Sequence, residues 1–152
     1  MIFRWMNKPG RNKSMAHENM HKESTMELKD YFESTKGKGI LATADGEGKV
    51  DMAVYAKPHF MKDGLVAFIM ADRLTHHNLQ SNDYAAYLYM EEGQGYKGKR
   101  LFLAKTGEEQ DSELLYTLRN RKYASEKEEG QPRFLVFFKI DKVLPLIGAG
   151  KE

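Results

Sequence analysis

The sequence predicts a mainly β protein: a six-stranded antiparallel barrel, closed or partly closed, with two or three flanking helices. Three observations predict it. Runs of strand length, apolar or alternating, recur at residues 39–44, 49–57, 65–71, 84–90, 100–106 and 133–140. The first three follow one another through short turns, Asp45-Gly46-Glu47-Gly48 and Lys62-Asp63-Gly64, which argues for an antiparallel meander rather than β–α–β units. The fourth and sixth runs, YAAYLYM and RFLVFFKI, hold more aromatic and aliphatic surface than one small barrel core needs. Strand faces left over in this way predict a homodimer.

The elements follow in order. Ser24 to Thr35 has a helical pattern, with Met26, Leu28, Tyr31 and Phe32 on one face. Ser24 and Glu27 have the spacing of a capping box, and Gly37 and Gly39 end the helix. GILATA and KVDMAVYAK then form a hairpin. In its second strand Val50, Met52, Val54 and Ala56 share one face, and Asp51, Ala53, Tyr55 and Lys57 share the other. Pro58 ends or bends that strand. Leu65 to Ala71 is a nearly unbroken apolar run, expected of a strand buried on both sides. It feeds a polar helix, Asp72 to Asn82, with Asp72 as its N-cap. The loop from Glu91 to Lys99 carries three glycines. From Glu108 to about Glu128, Leu114, Leu115, Leu118 and Tyr123 predict an amphipathic helix stopped by Gly130 and Pro132. The last strand is expected to continue past Asp141 towards Leu146.

A chain of 152 residues is most simply one domain, here residues 24–152 behind a basic extension at 1–23. Residues 1–22 of it hold Arg4, Lys8, Arg11, Lys13 and Lys22 against Glu18 alone, the composition of a flexible tail. The net charge of +2 makes no case for a nucleic-acid partner. The absence of cysteine removes disulfides, thiolate nucleophiles and thiolate metal ligands, and suits a reducing compartment. No apolar run approaches the ~20 residues that span a bilayer. The opening MIFRWM is too short for a signal-peptide core, so a cytoplasmic protein without a membrane partner is expected.

Conventional catalytic motifs are missing. His17-Glu18-Asn19-Met20-His21 fits H-E-x-x-H, but it lies in the polar extension, with no apolar face to hold a rigid helix and no third-ligand spacing after it. No resident metal is expected. No serine occupies a G-x-S-x-G elbow, and no glycine loop matches a P-loop or a Rossmann fingerprint. The one chemically suggestive join is the strand-to-helix passage. There Arg73, Thr75 and His76 fall where first-turn N–H groups lack partners, which makes an anion cradle. A capped surface helix with ordinary polar residues is the plainer account of that stretch alone. Redox chemistry here would come from a cofactor.

The order GILATADGEGKVDMAVYAKP, LVAFIMADRLTHHNLQSND, YAAYLYM resembles the FMN-binding split-barrel family related to pyridoxamine 5'-phosphate oxidase, over roughly Gly37 to Ile140. The resemblance is sharpest at the helix entry followed by Asn78-Leu79 and Ser81-Asn82-Asp83. It implies one FMN per subunit at a homodimer interface and oxidation or reduction of a small molecule. By position it implies that Arg73 grips the FMN phosphate, with Thr75 where many members carry lysine and His76 or His77 offsetting the lost charge. Asn78 would steady the helix entry, and Met70 and Ala71 would lie beside the ribityl chain. Val54, Tyr55, Ala56 and Lys57 would meet the polar edge of the flavin ring, Lys57 as the donor near its N1. Tyr55 and Lys57 are equally compatible with an exposed strand face. A non-catalytic electron carrier, a pyridoxamine 5'-phosphate oxidase, and a haem or deazaflavin binder on the same barrel remain as rivals.

Overall fold

The structure is a computed structural model in which residues 25–119 and 130–148 are described. The chain divides into two compact units, Met1–Thr35 and Lys36–Glu152. In the first, residues 25–34 form helix α1, whose Thr35 hydroxyl donates back to the Tyr31 carbonyl at 2.9 Å.

The second unit is one curled antiparallel sheet. Its strands are β1 (Gly37–Ala44), β2 (Val50–Tyr55), β3 (His59–Phe60), β4 (Val66–Ala71), β5 (Tyr84–Glu91), β6 (Gly98–Gln110) and β7 (Arg133–Pro145). Helix α2 (Leu74–Ser81) joins β4 to β5, and α3 (Glu113–Leu118) follows β6. The strand order is β2-β1-β5-β6-β7-β4-β3, a split barrel in which the six expected strands are joined by the two-residue β3.

β4 is apolar throughout because both its faces are covered. Val66, Phe68 and Met70 lie opposite Phe138, Val136 and Phe134 of β7, and all but Phe134 of these are buried. The Phe68 ring meets Tyr87 at 5.0 Å and Phe138 at 5.9 Å between centroids. On the opposite face Ala67 and Leu135 pack with Leu115 of α3, flanked by Ile69, Phe137 and Leu118. Burial on two sides is what an unbroken apolar run requires.

Two expectations are corrected. The first three strands do not form a meander: β2 pairs with β1 alone, while β4 pairs with β3 and β7. β2 is therefore an edge strand. The helix expected from Glu108 also gives way, because β6 runs on to Gln110 with Gly107–Gln110 paired to Phe137–Phe134. Ladder pairing overrides a helical charge pattern there. The helix begins only after Ser112, whose Oγ accepts from the Leu115 N–H at 3.1 Å. The expected continuation through residues 120–129 lies outside the described residues, as do the basic extension and the H-E-x-x-H segment.

β6 carries an irregularity between Lys105 and Gly107. Lys105 lies opposite Phe138 but Gly107 lies opposite Phe137, so Thr106 is an extra residue in the ladder.

Candidate functional site

Helix α2 starts one residue later than the sequence suggests. Arg73, not Asp72, is the N-cap, in extended conformation (φ −134°, ψ −168°) and with no side-chain capping bond. Its carbonyl accepts the first intrahelical bond from His77 N–H at 2.9 Å. The backbone N–H groups of Leu74, Thr75 and His76 thus stand at the positive end of the helix with no cap side chain drawn across them.

That helix end opens onto a cleft of about 480 Å³. One wall is β2, contributing Asp51, Ala53, Val54, Tyr55 and Ala56. The other is the end of β4 and the start of α2, contributing Ile69, Met70, Ala71, Arg73, Leu74 and Thr75. Arg133 of β7 completes it. Two guanidinium groups and a helix N-terminus therefore meet at one site, beside an edge strand whose outer row of backbone groups pairs with no strand among the described residues. Burial pushes the Tyr55 phenol above its ordinary pKa. A hydrogen bond with the Thr75 side chain and the charges of Arg73 and Arg133 oppose that rise, while Asp51 adds to it.

Seven of the ten sequence-derived candidates converge here: Val54, Tyr55, Ala56, Met70, Ala71, Arg73 and Thr75. Three do not. His76, buried at 7% exposure, turns into the barrel, with Nε2 2.6 Å from Glu108 and its ring stacked 3.6 Å from that of Phe134. Asn78 is buried behind the helix and donates to Thr43 Oγ1 at 3.1 Å. Lys57 borders a neighbouring cavity of about 220 Å³, shared with Tyr55, Ala56, His59, Phe68, Ile69, Leu118 and Arg119. Burial lowers the His59 pKa there.

Sequence reasoning missed Arg133. Its place follows from the pairing Ala71↔Arg133, because directly opposed residues of an antiparallel pair project to the same face. No local signal carries that register. Asp51 and Ala53 had one, since they alternate with Tyr55 on the same strand face.

β2 is held to the barrel by a bond from below. The Tyr87 hydroxyl of β5 shares its one proton between the carbonyls of Tyr55 and Ala56, each 3.1 Å away. It crosses β1 at Gly39, where any Cβ would collide with that hydroxyl.

No protein-family model matches the sequence, and neither does any curated protein. Solved structures do match. An FMN-binding protein from Syntrophomonas wolfei is similar over 95% of this chain and 100% of its own, at 17% identity and a TM-score of 0.67. The fold is the FMN-binding split barrel. Other split barrels that resemble this chain include an F420 reductase (13% identity, 71% of this chain and 89% of that one, TM-score 0.52). The haem storage protein HutZ from Vibrio cholerae is a third (16% identity, 78% and 92%, TM-score 0.57). At these identities the likeness is one of fold alone.

Proposed function

We propose that this split barrel binds FMN in the cleft between β2 and the β4–α2 junction, and acts as an FMN-dependent oxidoreductase on a small molecule. The observation that carries the reading is that Arg73, Arg133 and the uncapped N-terminus of α2 line the same cleft. That donor set fits a phosphate dianion, which takes charge-assisted, forked hydrogen bonds from arginine and backbone N–H groups together. The rest of the cleft fits the remainder of the cofactor. Val54, Ile69, Met70 and Ala71 offer apolar contact to a flat ring, and the open edge of β2 offers backbone donors and acceptors to its polar rim. The volume lies within the ~300–1,000 Å³ usual for small-molecule sites. Bound flavin would supply hydride or single-electron transfer. The chain would grip the phosphate with Arg73, Arg133 and Thr75, and orient the ring against β2. Lys57, outside the cleft, is given no part in this.

The similar structures support FMN by fold, since one of them is described as an FMN-binding protein. Haem is the weaker fit, because no histidine is found among the described residues lining the cleft. A carrier that only passes electrons is the second reading. It is favoured by the scarcity of proton-transfer groups: Asp51 is the one carboxylate among the described residues of the lining, and burial raises the Tyr55 pKa, which keeps the phenol protonated.

Titration of the purified protein with FMN, followed by flavin fluorescence quenching, tests the reading. Saturable quenching is expected, with Arg73→Ala and Arg133→Ala each raising Kd at least about tenfold, or ~1.4 kcal/mol. Absence of saturation overturns it. NAD(P)H oxidation with an acceptor, against electron exchange with a protein partner only, separates the reductase from the carrier.

A further inference from the structure

Helix α2 presents a problem of attachment. It has eight residues, and its buried side chains are Thr75, His76, Asn78 and Leu79, a single aliphatic residue among three polar ones. So short a helix is not stable by itself, and one Leu is a narrow apolar footing. Polar bonds must do the holding.

On the barrel side those bonds converge on β6. Glu108 Oε2 lies 2.6 Å from His76 Nε2, and Oε1 accepts from Gln80 Nε2 at 3.0 Å and from Lys105 Nζ at 2.8 Å. Lys105 Nζ also donates to the Leu79 carbonyl at 3.3 Å. Thus Glu108 reaches the first turn of α2 through His76 and the last through Gln80, and Lys105 adds a second bond to the last turn. Lys105 and Glu108 would project to opposite faces of a regular strand, being three residues apart. The extra residue, Thr106, brings them to one face, as their partners Phe138 and Val136 of β7 show. Asp72, 3.7 Å from His76 Nδ1, is the other charged group facing this imidazole. The cluster is joined to both arginines of the cleft along the backbone. His76 follows Thr75 on the helix that Arg73 caps, and Phe134, stacked on His76, adjoins Arg133.

We infer that Glu108 and His76 are positioning residues for the anion end of the cleft: through the 2.6 Å contact and the stack on Phe134 they hold Arg73, Thr75 and Arg133 in register with one another. The inference rests on the FMN reading and extends it to residues that touch no cofactor. A displacement of about 1 Å at such a site is costly, because the forked bonds to a phosphate depend on direction.

The test compares FMN with riboflavin, which lacks the phosphate, on the full chain. Glu108→Ala removes the acceptor; His76→Phe keeps a ring over Phe134 but loses the bond. In each variant the preference for FMN over riboflavin is expected to fall at least about fivefold, with riboflavin affinity little changed. Glu108→Gln, which keeps an acceptor oxygen, should recover part of the preference. A purely structural role would lower the melting temperature and leave the preference intact, and that result in any folded variant overturns the inference. A wild-type protein that does not distinguish FMN from riboflavin would instead overturn the phosphate site itself, and this inference with it.

Discussion

Glu108 shows how one side chain can be pulled in two directions. Burial alone would raise its pKa, but hydrogen bonds from Lys105, His76 and Gln80 outweigh that and bring it down to about 2. A carboxyl whose folded pKa lies below its ordinary 4.5 contributes stability above that pH and loses it as pH falls towards 2. After solvent screening, the contribution at this partly exposed group is about 1–2 kcal/mol. We therefore expect the melting temperatures of wild type and Glu108→Gln to differ at neutral pH and to converge as pH drops from 4.5 towards 2. A gap that stays constant with pH would mean the carboxylate charge is not what stabilises. The same residue explains a misread. His76 was a candidate phosphate donor by its place in the chain, and the structure turns it inward to Glu108. Each residue along a helix rotates the side chain by about 100°, so a start at Leu74 decides which residues face the cleft. Arg73 and Thr75 were legible because they sit at that boundary. Arg133 was not, because its relation to Ala71 exists only across a strand pair.

Among the elements, β2 forms one edge of the sheet. It has one strand neighbour, and Tyr87 supplies a further bond to its end through the gap left by Gly39. Gly39→Ala is expected to displace the Tyr87 ring and destabilise the fold by about 1–3 kcal/mol, the usual range for overpacking. Tyr87→Phe should keep the packing and lose the bond shared between the Tyr55 and Ala56 carbonyls. A thermal melt of each variant checks this, and a neutral Gly39→Ala would mean the ring can move at no cost. The hairpin β1–β2 was plain in the sequence because Asp45 and Gly48 dictate it locally: Asp45 Oδ1 accepts from Glu47 and Lys49 N–H, both at 2.9 Å, and Gly48 has φ +85°. The far end of β6 was hidden for the converse reason. Glu108 and Glu109 look helical in isolation, and only pairing with β7 makes them a strand.

At the scale of the molecule, the alternation that defines β2 leaves Val50, Met52 and Val54 at 82%, 72% and 81% exposure on one face. Three aliphatic side chains in a row on an edge strand are the kind of surface that a second copy would cover. They fit the homodimer expected from the sequence, since Val54 also borders the cleft and a partner seated there would close it. Light scattering at micromolar concentration should give a dimer, and Met52→Glu should give a monomer with weaker FMN binding. A monomeric wild type would overturn the expected homodimer. Among the described residues no helix is long and apolar enough to cross a membrane, and no three His, Cys, Asp or Glu side chains gather as a metal site.

The cleft draws Arg73 from the middle of the chain and Arg133 from the last strand, and the two meet only when β7 docks beside β4. During synthesis the chain emerges from its N-terminus, so every earlier strand can leave the ribosome while this pocket still lacks half its positive charge. A nucleotide loaded there would act as a latch on a finished barrel: its arrival would report that the final pairing has been made.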